Sequence, residues 1–412
     1  MMRRPLFLLI ALLMMALVAA CGGTAAPPAT SGLPAATAQS APEATPADTP
    51  EIAALKSEVV ANYAGIVYAG YQDTYDTALA LQAALQAFVA APGPQTHQAA
   101  KDAWLAAREP YGQTEVFRFY GGPIDDEDGP EPLLNAWPLD EAYVDYGVDA
   151  PDAGIINNVA GYPDITPALL ESLNESGAEE NISVGYHAIE FLLWGQDLSA
   201  GGSGGRDYTD YTTAANAERR GQYLLAAADL LVGHLADLAA AWAPDSADNY
   251  RAAFLAQDVN TSLRDILTGM GVLSKSELSG ERMFVAYDNQ NQEDEHSCFS
   301  DNTHRDIINN ARGIHNVWTG AYTRTDGTVV SGRSPAELLA AVDPALATRL
   351  QLLAEAALAG TETIHVPFDQ AIIASEHRPA VLAAVNALQD QGDALAQAAN
   401  ALGLQINTDL PQ

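Results

Sequence analysis

The pattern that most limits what this chain can become is a long amphipathic run near its start. Leu55, Val59, Tyr63, Ile66 and Tyr68 open it, it continues through Leu81, Leu85 and Phe88, and it stops at Pro92-Gly93-Pro94. Apolar residues three and four apart lay one stripe along a helix, and that stripe must be buried against other elements. No stretch of the chain shows sustained period-2 alternation, so those elements have to be helices. Further helices are predicted from about Thr96 to Phe119, kinked at Pro110, from Ile182 to Trp194, and from Ala214 to Trp242. Residues 121–180, rich in Pro, Gly, Asp and Asn, read as irregular with room for two short helices, and Gly201–Gly205 reads as a flexible turn.

Pro244-Asp245-Ser246 combines a helix stop with an N-cap signal and marks the predicted boundary between residues 51–243 and 244–412. The second half predicts helices near 247–269, 276–288, 302–320, 335–358 and 379–401, with Val329-Val330 suggesting a short strand pair. The expected fold is all-α: two four-helix-bundle-like units in tandem. Each half has two long helices bracketing a shorter, polar pair, which hints at duplication.

Residues 1–20 carry Arg3 and Arg4 ahead of an apolar run from Leu6 to Ala20, short for a bilayer span. Val18-Ala19-Ala20 before Cys21 resembles a bacterial lipoprotein signal, cut ahead of a cysteine whose thiol takes the lipid. The alternative is an uncleaved anchor, and either one addresses the body to the cell envelope, on a periplasmic or extracytoplasmic face. Gly22 is not the acidic residue associated with inner-membrane retention. Residues 21–50, mostly Ala, Pro, Thr and Ser, cannot offset the entropy of ordering and read as a tether. With Cys21 lipidated, Cys298 has no partner for a disulfide and reads as a small buried thiol.

The formal net charge is -34, from 19 Lys and Arg against 53 Asp and Glu. Such a field repels phosphate backbones and gathers cations, which excludes a nucleic-acid partner.

The most informative segment is Gly185-Tyr186-His187-Ala188-Ile189-Glu190, followed by Phe191-Leu192-Leu193-Trp194-Gly195. His187 and Glu190, three apart on a helix, project from one face and could share a cation or an internal hydrogen bond. His234 and Asp237 repeat the spacing inside a plain amphipathic helix. Residues 104–119 place Arg108, Glu115 and Arg118 on another helix. Glu115 and Arg118 make either a solvated ion-pair face or an inward carboxylate that joins His187 and Glu190 as a metal ligand. The acidic loop Ile124–Gly129 fails as an EF-hand, because Ile124 and Asn135 would stand where acids are needed, although Asp125 could still reach the site. Trp137, Trp194 and Trp318 read as core or interface residues.

Together Trp104-x-x-x-Arg108, Thr114-Glu115-x-x-Arg118 and the Gly185-x-His187-x-x-Glu190 block resemble the imelysin family of bacterial envelope proteins. Residues 281–307 are similar to its iron-regulated branch, and the resemblance covers about residues 52–405. It implies paired helical bundles with a site near their junction and a role in iron acquisition or handling. It also implies that Asp301, His304 and Arg305 face that junction and contact a ligand; the plainer reading of residues 293–306 is a polar loop ending in a helix N-cap.

Members have been described as metallopeptidase-like on account of the His-x-x-Glu pair. A zinc peptidase needs a third protein ligand, and His304 is the candidate the pattern recommends. A binder of a metal ion, iron or zinc, or of an iron complex needs less, and it fits the acidic, tethered body better. A haem reading would use His187 as an axial ligand. A metal-free scaffold or adhesin is the remaining class. The binder predicts Glu115 near His187 and Glu190, the peptidase predicts His304 near His187, and the scaffold predicts neither.

Overall fold

The structure, a computed structural model, describes residues 49–199 and 201–410. The signal segment, most of the tether and Cys21 lie outside the described residues. The amphipathic run forms α1 (Pro50–Ala90), capped by the Thr49 hydroxyl, which accepts from the backbone N–H of Ile52. After the Pro92-Gly93-Pro94 stop, α2 (Pro94–Thr114) runs through Pro110 and tightens into a 3₁₀ turn at Glu115–Phe117. Next come α3 (Gly185–Trp194) and α4 (Ala217–Ala241). α1 packs along α2 and α4, and α3 lies against α2 and α4.

In the second half, α5 (Val259–Val272) does not stop where the sequence suggests. It runs on through a π-helical stretch, Leu273–Phe284, into an α-helical end at Val285–Asn289. α6 (Thr303–Thr319), α7 (Pro344–Glu362) and α8 (Arg378–Ala401) complete this group. The helix expected over 335–358 is two helices, Pro335–Val342 and α7. The break falls at Asp343, because the residue before a proline is pushed out of the α region, and its carboxylate caps the new helix at Leu346 N–H. Ala321–Thr323 and Val329–Ser331 pair as an antiparallel hairpin with Tyr322 opposite Val330.

The fold is all-α apart from that hairpin. The seam between the two helix groups is α2 against α6, with α1 also touching α5. One hydrophobic core runs from Val59 to Leu404 across both groups, and the described residues form one compact unit. The irregular region contains three short helices, Glu131–Leu134, Glu141–Val144 and Pro167–Leu173. Buried Asp145 pins it by accepting from Arg206 and Arg220, and Arg219 donates to the carbonyls of Ile155, Ile156, Tyr162 and Pro163.

Candidate functional site

α3 carries the site, and its first residue explains the glycine of the motif. Gly185 has φ +84°, and a Cβ there would sit 2.6 Å from the Leu134 carbonyl oxygen. Only glycine lets the helix begin so close to the 131–134 turn, which is why α3 starts at Gly185 rather than near Ile182. A second left-handed glycine, Gly195 at φ +70°, ends it. All ten residues of the helix, Gly185–Trp194, are buried.

His187 and Glu190 do share one face: His187 Nδ1 lies 2.8 Å from Glu190 Oε2. The other carboxylate oxygen accepts from the backbone N–H of Ser300 at 2.9 Å and from its hydroxyl at 2.6 Å. Ser300 precedes α6, so the second helix group closes over the first group's motif. Burial raises the Glu190 carboxyl to about 8, against the opposing pull of the Ser300 hydroxyl and Arg108.

The ring across from His187 is His296, not His304. Their centroids are 5.6 Å apart with planes at 86°, and Trp137 stands edge-on to His187 at 5.0 Å. His187 Nε2 and His296 Nδ1 are buried and have no hydrogen-bond partner; the indole Nε1 of Trp137 is also unpartnered. Burial, reinforced by nearby guanidinium groups including Arg108 and Arg282, holds both imidazoles well below their usual pKa. Both rings are therefore neutral, and each neutral ring has one nitrogen with a lone pair to offer. Trp137 and His296 also line a pocket of about 170 Å3, walled further by Pro138, Glu281, Val285, Glu293 and Asp294. That is below the ~300–1,000 Å3 typical of organic-ligand pockets. A haem does not fit the space as it stands.

Two charged networks frame the rings. Arg108, fully buried, donates to Asp306 at 3.1 Å and to Asn135 at 2.6 Å, with its guanidinium over the rings of Tyr186 and Tyr111. Asp306 also accepts from Ser297 at 2.5 Å. Asn135 passes the chain on to Glu115, donating to it at 3.5 Å.

Glu115 faces the interior, but its charge is taken by two guanidinium groups, Arg118 at 2.8 Å and Arg282 at 2.5 Å. Burial alone would raise its pKa; Arg282 and Arg118 outweigh that and draw it down to about 2. The π-helical stretch matters here. Its bonding runs between residues five apart, which stacks Glu277 beneath Arg282 at 2.9 Å and aims Arg282 at Glu115.

The remaining expected site residues are spread out. Asp125 holds its own turn, accepting from the backbone N–H of Phe119 and of Gly122. Asp301 has φ +57° at the start of α6, and burial raises its carboxyl to about 6. His304 Nδ1 lies 3.1 Å from the Asp301 carbonyl oxygen, and Arg305 pairs with Glu109 at 2.6 Å, away from the buried rings. Cys298 is buried and its thiol is pushed up by burial. Among the described residues, no three His, Cys, Asp or Glu side chains converge closely enough to enclose a metal ion alone. The residues that the sequence reading did not assign to the site are His296, Trp137, Asn135, Arg282, Ser300 and Asp306. His296 stood inside the dense acidic cluster, where one polar side chain looks like another.

The imelysin family model matches residues 67–395. The chain belongs to the imelysin family. A curated relative, iron-regulated protein A of Synechococcus elongatus, is 26% identical over 338 residues, covering 80% of this chain and 82% of that protein. Among solved structures, an iron-regulated protein A precursor from Parabacteroides distasonis superposes with a TM-score of 0.67 at 19% identity, covering 87% of this chain and 97% of that one. An imelysin-like protein from Psychrobacter arcticus gives 0.60 at 13% identity, covering 86% and 98%. Both share the fold of this imelysin-family chain.

Proposed function

We propose that this chain is an iron-handling protein of the cell envelope that holds a metal ion, or the metal of a small iron complex, between His187 and His296. The observation that carries the reading is the pair of facing, neutral, buried imidazoles, each with a nitrogen that nothing in the protein satisfies. Buried polar atoms are nearly always paired, so two orphans on rings whose centroids are 5.6 Å apart call for a partner from outside. Imidazole suits iron and zinc. Glu190 then acts one shell out: on metal binding it would give up its proton, and its carboxylate, accepting from Nδ1–H, would fix the His187 tautomer and leave the Nε2 lone pair to the metal. Glu115, neutralised by Arg118 and Arg282, holds the seam in place rather than binding cargo. Two protein ligands leave coordination positions open, as uptake and release require. The likeness to iron-regulated protein A supports iron as the cargo, and the sequence before Pro50 supports a lipid anchor at Cys21.

The test is anaerobic titration of iron(II), and separately zinc, into the full-length chain purified in mild detergent. Wild type should take up close to one ion per chain. His187→Ala and His296→Ala should each lower affinity at least tenfold while helicity is kept. Uptake unchanged in both variants would refute the assignment.

A further inference from the structure

The C-terminal end of α3 borders a second and larger cavity, about 490 Å3, within the range of organic-ligand pockets. Its lining includes Trp194, Gly195, Asp197 and Arg206, with Val148 and Leu198 also in the wall. Val148 and Leu198 are 67% and 71% exposed, which makes the cavity's rim apolar. The interior is polar at two points. Arg206 spends Nη1 on Asp145 and Asp210, at 2.6 and 3.1 Å, but its Nε–H is buried without a partner on a side chain only 2% exposed. Gly195, at φ +70°, packs directly on this side chain: a Cβ there would stand 3.2 Å from the Arg206 Cβ and 3.4 Å from that Nε. The glycine-rich loop is tied down around the same spot, Gly204 N–H donating to Phe299 and Arg206 N–H to the Trp194 carbonyl. Asp197, 4% exposed, commits one oxygen to Ser199 N–H at 2.9 Å.

We infer that this cavity is a binding site for a primary amine with a neighbouring carbonyl and an apolar side group, as in an amino-acid amide or the free amino terminus of a peptide. Each part has a counterpart on the wall. The ammonium goes to Asp197, which Coulomb attraction favours in a chain of this net charge. The carbonyl oxygen accepts from the orphan Arg206 Nε–H. The apolar group covers Val148 and Leu198. A simple anion fits poorly, because Asp145 and Asp210 already balance Arg206 and Asp197 would repel it. The site is independent of the metal assignment, although Trp194 and His187 are on one helix, about 10 Å apart along its axis at 1.5 Å per residue.

The experiment is calorimetric titration of phenylalaninamide into the full-length chain, with N-acetylphenylalaninamide and the peptide Phe-Gly-Gly as comparisons. Phenylalaninamide should bind saturably and the acetylated compound at least tenfold more weakly. Tighter binding of Phe-Gly-Gly would make a peptide terminus the ligand, and tighter binding of phenylalaninamide a free amino-acid derivative. Asp197→Asn should lower affinity at least tenfold. Val148→Trp, at an exposed position remote from the core, should block entry with the fold unchanged, and it decides the matter if Asp197→Asn fails to fold. No saturable binding by wild type, equal binding of the acetylated compound, or wild-type affinity in Val148→Trp would each overturn the inference.

Discussion

Glu115 and Glu190 are both buried carboxylates at the joint between two helix groups, and they end in opposite states. Glu115 meets two guanidinium groups and is held ionised, with its pKa near 2. Glu190 meets an imidazole and a serine, and burial lifts it to about 8. One region is closed by pairing: Arg118 and Arg282 meet Glu115, and Glu131 and Glu277 meet those same two arginines. The other is open, with orphan nitrogens on His187 and His296. A closed network holds a fold together. An open one is costly to build and persists where something else completes it.

The sharpest way to break this contrast is to unbalance the closed side. Glu115→Ala leaves Arg118 and Arg282 with only Glu131 and Glu277 as partners and should cost about 3 kcal/mol in chemical denaturation, whereas His187→Phe, which removes the ring nitrogens but keeps the ring's volume, should cost well under that. Equal costs would mean that the two regions do not differ in kind.

pH separates them by sign. Glu115 has a folded pKa below its unfolded value, so its stabilisation is present above about pH 4.5 and is lost as pH falls toward 2. That is about 3 kcal/mol, removed in Glu115→Gln. Glu190 has a folded pKa above its unfolded value. Its native protonated form is favoured below about 4.5, and stability drains as pH rises toward 8. In the metal-free protein, Glu190→Gln should flatten that neutral limb of the stability curve and leave the acid limb alone.

A smaller effect tests the scaffold of the open site. Gly185→Ala places a Cβ against the Leu134 carbonyl at a left-handed φ, and should cost about 1–3 kcal/mol while weakening metal uptake through misplaced rings. Smallest of all is the half-exposed pair Arg305–Glu109: Arg305→Ala should change stability by less than about 1 kcal/mol and metal uptake not at all.

The fold was largely legible because helical periodicity and Pro or Gly stops are local signals. α1, α4 and α8 come within a few residues of their predicted spans. The misses are local conflicts of another kind. α5 runs through 270–275 because a π-helix has no distinctive composition, and the 335–358 helix breaks because Asp343 precedes a proline. The site was half legible. The His187–Glu190 spacing is visible on one helix, but His296 and Ser300 arrive from more than a hundred residues away, and nothing in a linear pattern says that they face it. Likewise Glu115 looks like a free carboxylate until Arg282, set by the π-helical stretch, is seen to occupy it.

The most direct test of the central claim is metal-edge X-ray absorption on the iron(II)-loaded full-length chain, beside His296→Ala and Glu115→Gln. The account predicts two imidazole ligands in wild type, one in His296→Ala, and a wild-type spectrum in Glu115→Gln. A shell without imidazole, or one that changes with Glu115 and not with His296, would contradict it.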